Sequence, residues 1–153
     1  MQTQIGYIVR LMLAAGVAAL VAGCASQRVS VSEMSAPARA SAERVTAGGT
    51  IQKIDKERER GKLVYDVEAT VGGKHAEFTI ADADGEVLGT ETQIEFSELP
   101  EAVSAATEKF FGTTTGLTVM KCVEYGQTEY EIEGPKGSKK VEVTFNAAGK
   151  RIE

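Results

Sequence analysis

Sliding this chain against itself by 65 residues brings strand residues and turn glycines into coincidence, and that recurrence constrains the fold more than any other feature. Gly61 then meets Gly126, Tyr65 meets Tyr130, Val67 meets Ile132, Glu68 meets Glu133, Phe78 meets Val143 and Ile80 meets Phe145. Pro37 and Pro100, read as helix starts, fall two residues out of that register, and the turns Asp84-Gly85 and Ala148-Gly149 fall one out, as small loop insertions would cause. Self-similarity at a fixed period marks a repeated supersecondary unit. The alternative is two unrelated meanders with similar turn chemistry.

Each unit reads as a helix followed by a meander. Residues 37–45 carry Pro near the start, alanines throughout and Gly48-Gly49 beyond the end, which are helix start and stop signals over a thin apolar face. Segments 50–57, 62–70 and 75–81 follow, broken by Arg60-Gly61, Gly72-Gly73 and Asp84-Gly85, with 87–96 as a fourth strand. Leu63, Tyr65, Val67 and Ala69 alternate with Val64, Asp66, Glu68 and Thr70, a period of two that sets an apolar face against a mostly polar one. A second helix is expected over 98–111, with Ser97 as N-cap, Gly112 as stop and Leu99, Val103, Ala106 and Phe110 as its apolar stripe. Strands at 117–124, 128–133 and 140–145 complete the second unit.

Before the first unit, Arg10 is followed by a short apolar run over 11–21 and then Ala22-Gly23-Cys24. A charged residue, a short apolar core and small residues before a cleavage point make a secretory signal, and the run is too short to span a bilayer, which takes about 20 residues. Val21-Ala22-Gly23-Cys24 resembles the lipobox of bacterial lipoproteins. That resemblance implies cleavage between Gly23 and Cys24, acylation of the Cys24 thiol, and a lipid-anchored protein of the cell envelope. Ala25, which is not an aspartate, resembles an outer-membrane address facing the periplasm. An ordinary secretory signal with a mature Cys24 thiol, or a helix of the folded domain, is the competing reading. Residues 24–35, rich in Ser, Ala and Val, read as a tether with little fixed structure.

Loss of residues 1–23 removes Arg10 and leaves 16 basic against 22 acidic side chains. An acidic chain without a basic stripe is a poor partner for nucleic acid, whose phosphates need Lys and Arg. Without a polybasic patch, acyl chains would do the anchoring. If Cys24 is acylated, Cys122 stands alone in an oxidising compartment, which argues for burial within a strand. A Cys24 to Cys122 disulfide would contradict the lipobox reading, and nothing beside Cys122 marks it as a reactive thiol.

The segments Tyr65-Asp66-Val67-Glu68 with Asp84-Gly85, and Leu99-Pro100-Glu101-Ala102-Val103 with Tyr130-Glu131-Ile132-Glu133, are similar to PepSY-like domains over residues 35–153. Tandem units of that kind look like the beta-lactamase-inhibitor-like fold, with helices on one face of a continuous antiparallel sheet and the other face open. The fold class expected is therefore α+β, built from two tandem helix-plus-antiparallel-meander repeats at 36–96 and 97–153. What the resemblance implies is an envelope binding module, an inhibitor in some relatives, with no catalytic residues and no inhibitory loop to carry over.

Alternation places Asp66, Glu68, Glu129, Glu131, Glu133 and Glu142 opposite the apolar face, giving an acidic sheet surface that could receive a basic partner or could be plainly solvated. Asp82-Ala83-Asp84-Gly85 with Glu91 offers several positions of a calcium loop, but Ile80 occupies the first ligand position, so a tight turn is expected and no metal. His75, the single histidine, is expected as an exposed turn residue and cannot complete a zinc site. No Gly-x-Ser-x-Gly elbow supports a serine triad. Tyr65 and Tyr130 are expected in the core. The leading expectation is a lipid-anchored protein that binds a protein or peptide without catalysis and without a cofactor. The rivals are a structural envelope lipoprotein that pairs through its sheet edges, and a small-ligand or metal sensor, which would need a real pocket.

Overall fold

The computed structural model describes residues 26–152. Cys24, its leader and the expected cleavage point lie outside the described residues. The described residues form two α-helices and a single antiparallel sheet of eight strands in sequential order. Strand β1 is Gln27–Arg28, helix α1 Ala36–Val45, and strands β2 to β5 are Thr50–Glu59, Lys62–Val71, Lys74–Ala81 and Val87–Ile94. Helix α2 is Glu101–Phe111, and β6 to β8 are Thr118–Glu124, Gln127–Lys136 and Lys139–Asn146. An α+β fold with helices on one face of an open antiparallel sheet is what the resemblance to PepSY-like domains implies.

Cross-strand register fixes which side chains share a face. Tyr65 opposes Lys56 and Ile80, Val67 opposes Ile54 and Phe78, and Ile94, Val119, Ile132 and Val143 continue the same face across β5 to β8. Both helices cover this face, α1 against β4 and α2 against β7. Two cores result. Met34, Ala38 and Ala42 pack with Ile54, Tyr65, Val67, Phe78 and Ile80, while Leu99 and Val103 pack with Val119, Tyr130, Ile132, Val143 and Phe145. The thin apolar face of α1 is thus sufficient, because Ala38 and Ala42 are fully buried. Tyr65 and Tyr130 are core residues, as alternation predicts.

Several boundaries differ from the sequence reading, each for a local reason. Helix α2 begins after Pro100, not Ser97, because residues 96–98 form a 3-10 turn in which the Glu98 side chain accepts the backbone N–H of Glu95. The same box closes over Ser30 and Glu33 before α1. The helix N-caps are Ser35 and Pro100, which are 65 residues apart, so the two-residue offset of the prolines reflects different cap positions and no insertion. The tether is also shorter than expected. Gln27 and Arg28 pair with Lys56 and Asp55, the Arg28 guanidinium binds the Asp55 carboxylate at 3.2 Å, and Met34 is buried.

Two close approaches pin the helices to the turns after the third strand of each half. Gly85 sits against the carbonyl of Pro37 and Gly149 against that of Ala102, so a Cβ at either glycine would collide with helix backbone. Both have φ above +70°. Asp82–Gly85 is accordingly a turn, closed by the Gly85 N–H donating to Ala81 O at 3.0 Å and the Glu86 N–H donating to Asp84 at 3.0 Å.

Candidate functional site: the open sheet face

Register places one row of side chains across the uncovered face, perpendicular to the strands. It runs Lys53, Glu68, Glu77, Glu91, Cys122, Glu129 and Asn146, from β2 to β8. At about 4.8 Å per strand, Glu68 to Glu129 spans about 19 Å. Flanking rows add Glu124 on one side and Glu131 on the other, with Glu133 opposite Glu142 beyond. At the margins of the face, Lys53 binds Asp55 at 2.7 Å and Glu68 at 2.9 Å, and Lys140 binds Glu133. The face positions of β4, β5 and β6 between them hold no Lys or Arg.

The expected site residues divide accordingly. Glu129, Glu131 and Glu142 lie together at the β7 and β8 side of the row, each half-buried. Glu68 and Glu133 are on the face but tied to their lysines. Asp66 faces the open side as alternation expects, but it is buried at 8% exposure and accepts the Thr79 hydroxyl at 2.9 Å. Glu77, Glu91 and Glu124 belong to the same surface. Their signal was present in the alternation of Glu77 with Ala76 and Phe78, and in Glu91 standing between Thr90 and Thr92.

Crowded like charges leave a mark on the groups they surround. The Glu131 carboxyl is pushed up to about 7, first by burial and then by Glu142, Glu91 and Glu133. The Cys122 thiol is pushed far above its usual range, again by burial first, with Glu91, Glu131, Glu124 and Glu129 adding to it. Both effects disfavour the thiolate that a nucleophile needs. Cys122 lies within a strand, as expected, but is half-buried and not fully so, in the middle of the acidic row. His75 likewise departs from expectation, lying in β4 opposite Thr70 on this face, half-buried, with Nε2 buried and unbonded.

One end of the face is closed. The β2–β3 turn holds Arg60-Gly61 and the β6–β7 turn Tyr125-Gly126, positions 65 apart and four strand spacings from each other along the sheet. Even so, the Arg60 guanidinium lies 4.1 Å from the centre of the Tyr125 ring, and the Tyr125 hydroxyl donates to Glu59 at 3.5 Å. Glu59 pairs with Lys62 in the open-face register, so the tips meet on that side and the sheet curls toward it. Beneath them Val64, Ala81 and Leu88 form a small buried cluster on the same side. At the opposite end a cavity of about 390 Å³ opens between Thr118 and the β7–β8 turn, with Glu133, Pro135 and Lys140 in its wall. Among the described residues no group of acidic, His and Cys side chains is placed to hold a metal ion, and no helix is long and apolar enough to cross a membrane.

Comparison with known proteins bears on the fold. No curated protein matches the chain. A crystal structure of a BLIP-like protein from Bacteroides fragilis superposes with a TM-score of 0.55 at 22% identity, covering 78% of this chain and 84% of that one. Residues 36–91, from the start of α1 into β5, match the family described as Peptidase propeptide and YPEB domain, PepSY. The fold is thus PepSY-like and BLIP-like, an α+β arrangement with an open antiparallel sheet.

Proposed function

We propose that this chain is a lipid-anchored envelope protein that binds a basic segment of a protein or peptide on its open sheet face, and that it acts by occupancy, as an inhibitor or modulator, without turnover. The observation that carries the reading is the acidic row from Glu68 to Glu129, four glutamates and a cysteine aligned by register across five strands of the open face. A concave surface of one charge sign focuses its field and favours a partner of the opposite sign. The BLIP-like and PepSY resemblances support a binding module over a catalyst. The two halves are read as an internal duplication, supported by the 65-residue spacing of the caps, the turns and the buried tyrosines.

Anchoring rests on the Val21-Ala22-Gly23-Cys24 sequence. Two residues separate Cys24 from Gln27, the first strand residue, so acylation at Cys24 would hold the sheet edge within about 10 Å of the lipid surface. Intact mass spectrometry of the envelope protein tests this: a chain beginning at diacylated Cys24 supports it, and an unmodified thiol at that position contradicts it.

Octalysine titrated into the mature chain by calorimetry tests the docking face. The Glu91→Lys/Glu129→Lys pair should weaken binding by about tenfold or more at low salt. Glu101→Lys/Glu108→Lys, with the same charge change on the helix side, should leave it within about twofold. Equal effects of both pairs would reduce the attraction to net charge and overturn the reading.

A further inference from the structure

The two tight turns whose tips meet break the chemistry of their own turn type. Each places a residue with φ near +50° before a glycine, Arg60 at 49° and Tyr125 at 46°, where Asn, Asp or Gly is favoured. Arg and Tyr are poor choices for the turn, and the two side chains that break the rule are the two that stack on each other. Departures from local preference that recur at positions in contact point to a role beyond the turn itself. The contact also spans a gap that an uncurled sheet would leave open. Four strand spacings amount to about 19 Å, and two side chains close that span only because β3 to β6 bend toward the open face. Each half has its own core on the other side of the sheet, so the stack is not what holds either half together.

We propose that the Arg60–Tyr125 stack, with Glu59, is a clasp that sets the curl of the open face and closes its turn end, positioning the acidic row for a cationic partner while contributing little to folding. This rests on the open-face reading of function and adds to it the residues that shape the surface. A clasp at one end leaves the partner to enter from the other, past Thr118 and the β7–β8 turn. Tyr125, the large hydrophobic residue most exposed among the described residues, at 39%, then stands at the inner limit of the cleft, where an aromatic ring beside carboxylates also favours a cation.

The test compares two paired variants of the mature chain. Arg60→Asn/Tyr125→Asn removes the stack while fitting both turns, and Arg60→Lys/Tyr125→Phe keeps a cation over a ring. The Asn pair should melt at the wild-type temperature or above yet bind octalysine about fivefold more weakly, and the Lys/Phe pair should restore most of the affinity. An Asn pair that binds like wild type overturns the proposal, and so does one whose melting temperature falls together with its affinity. A wild-type chain that fails to bind octalysine contradicts the open-face function, and a second measurement then judges the clasp alone. Spin labels at Arg58→Cys and Gln127→Cys, with Cys24→Ser and Cys122→Ser, should give a short, narrow distance in the clasped chain and a longer, broader one in the Asn pair. An unchanged distance distribution overturns the clasp.

Discussion

The hydroxyl of Tyr65 donates to the carboxylate of Asp82 at 2.6 Å while accepting from the Ser35 backbone N–H at 3.2 Å and the Lys56 ammonium at 3.1 Å. Ser35 in turn donates from its side chain to the Asp82 carbonyl at 2.6 Å, so the start of α1 is fastened to the sheet through one phenol. The corresponding positions in the second half are Pro100, which has no N–H, and Ala147, which has no carboxylate. Tyr65→Phe should therefore destabilise the protein by about 1–3 kcal/mol, leaving the part-buried Ser35 N–H without its acceptor and Lys56 and Asp82 with only their 3.7 Å ion pair, whereas Tyr130→Phe should cost less than about 1 kcal/mol. Urea denaturation of the two variants measures the difference, and equal losses would contradict this asymmetry.

Gly85 and Gly149 make the same demand in both halves. Alanine at either position meets helix backbone and an unfavourable positive φ together, so each substitution should cost about 2–4 kcal/mol. The same change at Gly72, which has open space around its Cβ direction, removes only the backbone freedom and should cost about 1 kcal/mol. Thermal or urea unfolding of the three variants checks the ranking.

Stability should fall as pH rises through neutrality. Folding raises the Glu131 carboxyl from its ordinary 4.5 to about 7, so between those values the folded chain holds a proton that the unfolded chain has already lost. That contribution is complete at pH 4.5 and below, and disappears as pH climbs past 7. Glu131→Gln should remove this part of the pH dependence and make the protein more stable than wild type at pH 8, by about 1–2 kcal/mol after screening by water at a half-buried site. Melting temperatures at pH 5, 6, 7 and 8 test it; parallel profiles for the two proteins would contradict the assignment.

Cys122 should be sluggish toward alkylation. Its thiol is pushed up by burial and four neighbouring glutamates, so iodoacetamide at pH 8 should modify it at least about tenfold more slowly than a free thiol, and urea should restore the ordinary rate. Rapid labelling of the folded chain would contradict the burial and the charge of this row.

Strand periodicity made the two faces of the sheet legible, and the 65-residue offset made the order of elements legible, because both depend on local alternation and turn residues. Curvature was not legible. Asp66 reads as surface by its phase, yet it is buried under Thr79 in a sheet whose bend depends on contacts such as Arg60 with Tyr125, far apart in sequence. The faces of Cys122 and His75 are hidden for a related reason: Cys122 reads as a strand residue without its face and His75 as a turn residue beside Gly72-Gly73, while cross-strand register decides the face of each. The segment at 27–34 looked featureless because its order comes from pairing with β2 and from Met34 entering the first core, and neither leaves a period in the sequence.

Docking of a cationic partner on the open face can be followed residue by residue, by amide chemical-shift mapping during an octalysine titration. Perturbations should concentrate at Glu77, Glu91, Cys122, Glu129 and Glu131, with α1 and α2 unaffected. Perturbations confined to the helices or to the sheet edges, or spread evenly over the surface, would contradict it.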